Sequence, residues 1–243
     1  MPPNPIPDDP LTHVPEDWGG DGAQEWLKKS LADVKVASAS DVQNGVAYTD
    51  GFICAEPGRF GRYGDAGWRR LVMATFAADL ASYPAPVDQV NFERLAYVMH
   101  TFPSGFRVWF VRLGGEWRPV GYSGWHPVAE VDFARLEKDA ASLRDRFVRP
   151  LAGFQEGPRL AYLFNYSVAP AFVRTKLSAD LVKTYAEAVL DKRPEGLAAV
   201  TVSEQGASVA RKFGLSHVGD IHIGDAPPEA VYVGRGPFKA RPM

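Results

Sequence analysis

The segment from Leu160 to Val202 constrains the fold more than any other part of this chain. Leu160–Val168 (LAYLFNYSV) is almost continuously apolar, the pattern of a strand covered on both faces. Pro170 lacks a backbone donor and stops it. Ser178–Leu190 then places Leu181, Val182, Tyr185 and Val189 at helical spacing, and Leu197–Val202 is a second buried run. Strands alternating with helices predict an α/β sheet that is at least partly parallel.

The flanking segments extend this pattern. Phe106–Leu113 and Glu116–Tyr122 are aromatic and β-branched runs joined by Gly114-Gly115, a hairpin signal. Val131–Phe147 reads as a helix with Phe133, Leu136, Ala140, Leu143 and Phe147 along one stripe. A short helix, Glu204–Phe213, and two strands, His217–Ile223 and Ala230–Gly234, follow Val202. Upstream, Gly22–Val34 is helical in pattern and Val46–Cys54 is a strand candidate. A further helix carries Trp68, Leu71, Val72, Phe76 and Leu80 and is closed by Pro84 and Pro86. Val87–Met99 is also read as helical, with Asp88 near its start. Six of the first fifteen residues are proline, so residues 1–20 are expected to form an extended arm.

Composition removes several functions. The 27 Lys+Arg and 29 Asp+Glu give a net charge of −2, no basic surplus for a phosphate backbone, so no nucleic-acid partner is expected. One cysteine cannot make an internal disulfide or a cysteine-rich zinc site. The five histidines show no HExxH spacing, and no metal is expected. His217 and His222 are five apart on the predicted strand and should face opposite ways. No apolar run approaches the ~18–20 residues of a membrane span. The start, MPPNPIPDDP, has neither the charged nor the apolar region of a secretory signal. The expectation is a soluble, cytoplasmic protein with no membrane partner.

The chemistry-bearing stretch is Ser167-Val-Ala-Pro170-Ala-Phe172-Val-Arg174-Thr-Lys176-Leu-Ser178. A helix N-terminus presents unpaired amides and a partial positive charge, which stabilises a bound anion. Arg174 and Lys176 on the entering loop add to that. The same residues also suit an ordinary strand-to-helix connection with solvated basic side chains.

This segment resembles motif A of the GCN5-related N-acetyltransferase (GNAT) superfamily, with Val168, Pro170, Phe172 and Leu181 at matching places. Ser203-Glu-Gln-Gly206-Ala-Ser-Val209-Ala-Arg-Lys-Phe213-Gly214-Leu215 is similar to a downstream motif of that family. The resemblance spans Phe106 to Gly236. It implies an acyl-CoA N-acyltransferase fold, a mixed central sheet flanked by helices, with residues 106–243 as its core. Residues 21–105 would be a helical part of one enlarged domain, or an eroded first half.

The resemblance further implies transfer of an acetyl or other acyl group from acyl-CoA, as co-substrate, to an amine of a small molecule or peptide. Backbone groups around Ser167 and Val168 would pair with pantetheine. The segment Val173, Arg174, Thr175, Lys176, Leu177 and Ser178 would cradle the pyrophosphate, with Ser203 at the next helix start. Four positions depart from the pattern: Val173 replaces an Arg/Gln, Lys176 a glycine, Ser178 the second small residue, and Ala210 the usual tyrosine acid. Replacement catalytic groups are Tyr166, beside the pantetheine strand, and His126, which titrates near neutrality. His126 also suits a backbone-bonded strand end, and Ser203 and Glu204 suit helix capping.

Two alternatives stand beside this reading: a non-catalytic ligand-binding or regulatory module that keeps the fold, and a hydrolase using Cys54. Cys54 otherwise reads as a small core residue. The series Gly58, Gly61, Gly64, Gly67 with Arg59 and Arg62 could hold an anion or simply turn. The aromatic series from Tyr97 to Trp125 reads as core or as the wall of an acceptor pocket. Oligomeric state is open, with a homodimer allowed.

Overall fold

The computed structural model describes residues 10–37, 52–53, 65–83, 86, 88–143, 148–224 and 226–238. Its elements are α1 (Asp21–Val36), β1 (Phe52–Ile53), α2 (Asp65–Ser82), α3 (Phe92–Thr101), β2 (Phe106–Leu113) and β3 (Glu116–Pro127). Then come α4 (Glu130–Lys138), β4 (Leu160–Val168), α5 (Lys176–Leu190), β5 (Gly196–Thr201), α6 (Glu204–Lys212), β6 (Ser216–Ile221) and β7 (Glu229–Arg235). The strands form a seven-stranded sheet in the order β1-β2-β3-β4-β5-β7-β6. β4 and β5 are parallel, while β1–β2, β5–β7 and β6–β7 are antiparallel. The sheet is therefore mixed, with its parallel pair connected through α5, as the apolar pattern of Leu160–Val202 predicts.

Contacts divide the chain into two units. One contains the residues up to Ser123 with Ser167–Leu181, and the other contains Gly124–Tyr166 with the residues from Val182 onward. In the first unit α2 buries Leu71, Val72, Ala74, Ala77 and Ala78. Asp79, 0% exposed, sits among them, and its carboxyl accepts hydrogen bonds from the Tyr122 hydroxyl and the Val90 amide, each at 2.8 Å. Arg118 is buried on β3; its Nε donates to Asp33 of α1 at 2.8 Å and its Nη2 pairs with Glu116. The hairpin turn has φ +57° at Gly114 and +86° at Gly115, the left-handed pair that a two-residue connection requires.

In the second unit Phe133 and Leu136 of α4 pack with Leu160, Tyr162, Ala198 and Val231 of the sheet. Each large apolar side chain buried this way contributes about 1.5–3 kcal/mol. The Tyr185 hydroxyl of α5 donates to Gly124 O at 2.8 Å, and its ring meets Phe213 edge-on at 5.6 Å.

Some elements differ from expectation. The helix read from Val131 to Phe147 ends at Lys138, and a 3-10 turn at Ala140–Ser142 carries Ala140 into the same core that the stripe predicts. Asp139, with φ −146° and ψ 41°, makes the break. α3 starts at Phe92, not near Val87, because Asn91 rather than Asp88 caps it by accepting the Arg94 amide. α5 begins two residues early, at Lys176. Proline content predicts extension over the first twenty residues, yet Pro10–His13 is a 3-10 turn with Pro10 and Leu11 buried. β6 ends at Ile221, so His222 lies past it, and the β6–β7 register shifts between His217 and Gly219; the opposite-face argument for these histidines does not apply. Cys54, Arg59, Arg62, Pro84, Phe147 and the glycines at 58, 61 and 64 lie outside the described residues.

Candidate functional site

The end of β4 turns sharply because Pro170 cannot continue a ladder. The Ala169 amide still reaches Val120 O at 2.7 Å. A 3-10 turn, Pro170–Phe172, then closes with Phe172 N–H to Ala169 O at 2.9 Å. Arg174 follows at φ +64°, left-handed backbone that a non-glycine residue adopts at a cost of about 1–2 kcal/mol. The Thr175 hydroxyl donates to Phe172 O at 2.6 Å, and the Ser178 hydroxyl donates to Thr175 O at 2.9 Å. These bonds fix the entry into α5, whose first-turn amides point out of the helix end.

Within that turn the predicted residues divide by role. Leu177 is 0% exposed and anchors the helix start, so only its backbone can face a ligand. Phe172 is equally buried and holds the loop. Arg174 is exposed. Lys176 reaches along the helix flank to Asp180 at 3.5 Å, one turn on. That pairing draws the lysine side chain along the helix rather than over its amides. The same pair offsets the Asp180 charge, which would oppose an anion here. Ser167 and Val168, upstream on β4, are both buried, and the Ser167 hydroxyl has no hydrogen-bond partner among the described residues.

The second unit holds Tyr166, His126 and Ser203. Tyr166 is half-buried, and burial pushes its hydroxyl pKa up to about 12, so it is protonated at neutral pH. His126, 0% exposed, lies beside the rings of Tyr162 (5.4 Å) and Phe164 (6.0 Å). Its Nδ1 is 3.1 Å from Pro127 O. A carbonyl oxygen only accepts, so the hydrogen-bond network assigns the proton to Nδ1 and leaves a lone pair on Nε2. Nε2 is buried with no partner among the described residues. The titration near neutrality expected of His126 does not hold: burial lowers its pKa to about 4 against the Pro127 hydrogen bond, which raises it, and the ring is neutral at pH 7. Ser203 caps α6, its Oγ accepting the Gly206 amide at 3.1 Å. The β4–β5 ladder runs from Leu160↔Gly196 to Leu163↔Ala199, whereas β4 continues to Val168 and β5 to Thr201.

Ala210 is buried at 2% exposure and offers no acid. In the aromatic series, Phe106, Trp109, Phe110 and Tyr122 are fully buried core, while Tyr97 is exposed. Asp79 and Arg118 stand outside the residues expected from the sequence. A lone acid inside the apolar run Leu71–Leu80 is the signal that could have found the first; no local pattern marks the second. Among the described residues no group of three or more His, Cys, Asp or Glu could hold a metal ion, and no helix is long and apolar enough to cross a membrane.

No protein-family model and no curated protein sequence matches this chain. Solved structures do. The loading GNATL domain of CurA from Lyngbya majuscula superposes with a TM-score of 0.50 at 12% identity, covering 68% of this chain and 92% of that domain. The GphF GNAT-like decarboxylase in complex with isobutyryl-CoA gives 0.48 at 17% identity over 68% and 94%. The NatC complex bound to Gag peptide and CoA gives 0.49 at 9% identity over 78% and 98%. At these identities likeness speaks to architecture, and the first of them carries it: the chain has the GNAT fold.

Proposed function

We propose that this protein is an acyl-CoA-dependent N-acyltransferase acting on an amine of a small molecule or peptide. The observation that carries the reading is the β4–α5 turn. A GNAT-fold strand ends at Val168, just before Pro170, and leads through a left-handed Arg174 to first-turn amides whose flanking lysine is drawn aside by Asp180. That arrangement suits a pyrophosphate, with the first-turn amides of Lys176, Leu177 and Ser178 as donors, the Thr175 amide being engaged by Phe172 O, and the exposed Arg174 as a flanking cation. The β4–β5 ladder, stopping at Leu163↔Ala199, is consistent with pantetheine pairing along Ser167 and Val168.

Acyl transfer forms a C–N bond and breaks a C–S bond. The amine gives up a proton, and the departing thiolate takes one. His126 Nε2, a neutral lone pair without a partner, is assigned the proton from the amine, directly or through water. Tyr166, protonated at neutral pH, is assigned the donor role toward the thiolate. Ser203 contributes by holding the start of α6.

A binding or regulatory module is the second reading, favoured by the buried Ala210 at the position of the family's tyrosine acid. Titration calorimetry with acetyl-CoA and longer acyl-CoAs tests the carrying observation. The proposal expects binding and, in Arg174→Glu, an affinity lowered about tenfold, the worth of one charge-assisted contact. Unchanged affinity rejects the pyrophosphate role. Binding by the native chain without thiol release across an amine panel supports the module instead.

A further inference from the structure

Position 121 needs glycine for space and not for backbone freedom. Gly121 lies inside β3, and it is not among the glycines with positive φ. A Cβ at this position would stand 2.8 Å from Ser167 O, 3.1 Å from Leu181 Cδ1 and 3.4 Å from Val168 Cα. Carbon and oxygen do not approach to the first of these distances without a shift, and the atom that would have to move is backbone rather than the free end of a side chain. Gly121 holds open the volume that the Ser167 carbonyl occupies, a close approach of two backbones.

The direction of that carbonyl decides what its peptide presents on the other side. Its oxygen is the atom nearest the Gly121 site, with Val168 Cα next along the backbone. The Ser167–Val168 peptide is trans, the cis bond among the described residues being Gly236–Pro237. A trans peptide is planar and sets its N–H opposite to its C=O. The Val168 N–H therefore points away from Gly121. Neighbouring contacts hold the plane in this setting. The Ala169 amide, one residue on, is fastened to Val120 O at 2.7 Å, and Leu181, 0% exposed, closes the α5 side. We propose that Gly121 is a positioning residue for acyl-CoA: by giving way to the Ser167 carbonyl, it aims the Val168 N–H at the pantetheine arm. The proposal rests on the acyl-CoA reading and adds to it a residue of β3 that touches neither the ligand nor the reacting atoms. A side chain at 121 would turn or push the Ser167–Val168 peptide. The pyrophosphate is assigned to separate amides, those of Lys176, Leu177 and Ser178, and would keep its seat.

The test titrates the full chain with acetyl-CoA and with ADP, which carries the pyrophosphate and lacks the pantetheine arm. Gly121→Ala should weaken acetyl-CoA about 3–10-fold, the worth of one hydrogen bond, and leave ADP unchanged. Gly196→Ala is the matched control, since its Cβ would meet Leu160 Cδ2 at 2.6 Å and Phe133 Cζ at 2.8 Å in the core of the second unit. It should lower the urea midpoint and leave both affinities unchanged. Hydrogen exchange on the native chain needs no variant, so it decides the matter if Gly121→Ala fails to fold. Acetyl-CoA should slow exchange of the Val168 amide at least about threefold more than ADP does. Unchanged acetyl-CoA affinity in Gly121→Ala, an equal loss for ADP, or a Val168 amide protected no better by acetyl-CoA than by ADP would overturn the proposal and leave the acyl-CoA reading standing. A native chain that binds no acetyl-CoA would overturn that reading and this proposal with it.

Discussion

Two buried polar groups on β3 show how differently one strand can treat them. Tyr122 and its partner Asp79 are both fully buried, and the Asp79 carboxyl accepts the Tyr122 hydroxyl and the Val90 amide. His126 is as deeply buried, but only one of its nitrogens is engaged. A buried polar group left without a partner costs about 1–3 kcal/mol, a cost that His126 Nε2 carries together with Ser123 Oγ of the same strand and that the Tyr122–Asp79 pair avoids. The distinction rests on hydrogen-bond completion, since burial is equal in the two cases.

The largest predicted effect separates them directly. His126→Phe keeps a ring of similar size and should lower acyl transfer about 10²–10⁴-fold, with stability at pH 7 changed by no more than about 1 kcal/mol. Steady-state thiol release beside urea unfolding reads both quantities. Asp79→Ala should do the reverse. It strands the Tyr122 hydroxyl and Val90 amide, so unfolding by urea should show a loss of about 2–4 kcal/mol, with activity per folded molecule unchanged.

The acid limb of stability sharpens the comparison further. The folded His126 pKa is about 4 and its ordinary value is 6.5. Between those values the unfolded chain binds a proton that the native chain does not, so stability falls as pH drops from about 6.5 to about 4 and levels below. The full contribution is about 3 kcal/mol, and His126→Phe should flatten that limb in urea melts across pH. The smallest effect belongs to Asp180→Asn. It removes an exposed i,i+4 pair with Lys176 and should cost about 0.3 kcal/mol in thermal unfolding.

Legibility in the sequence followed the range of the interactions. β4, α5 and β5 announced themselves because strand and helix periodicity are local properties. The stripe Phe133, Leu136, Ala140 and Leu143 correctly marked one buried face, yet burial fixes a face and not continuity, and Asp139 breaks the helix inside it. The Ser203 cap was readable for the same local reason. Asp79–Tyr122 and Arg118–Asp33 were not, because their partners are 43 and 85 residues apart. His126 could be named from sequence as a titratable strand-end residue. Its tautomer and bare Nε2 depend on Pro127, Tyr162 and Phe164 together, and only the folded chain supplies that setting.

The most direct test follows the acyl group itself. Mixing the protein with acetyl-CoA carrying a heavy-isotope acetyl group and a panel of amines, then analysing products by mass spectrometry, should show labelled amide and free thiol in equal amounts. Both should fall together in His126→Phe. Acetyl-CoA bound without labelled amide, or label transfer unaffected by that substitution, would contradict the account.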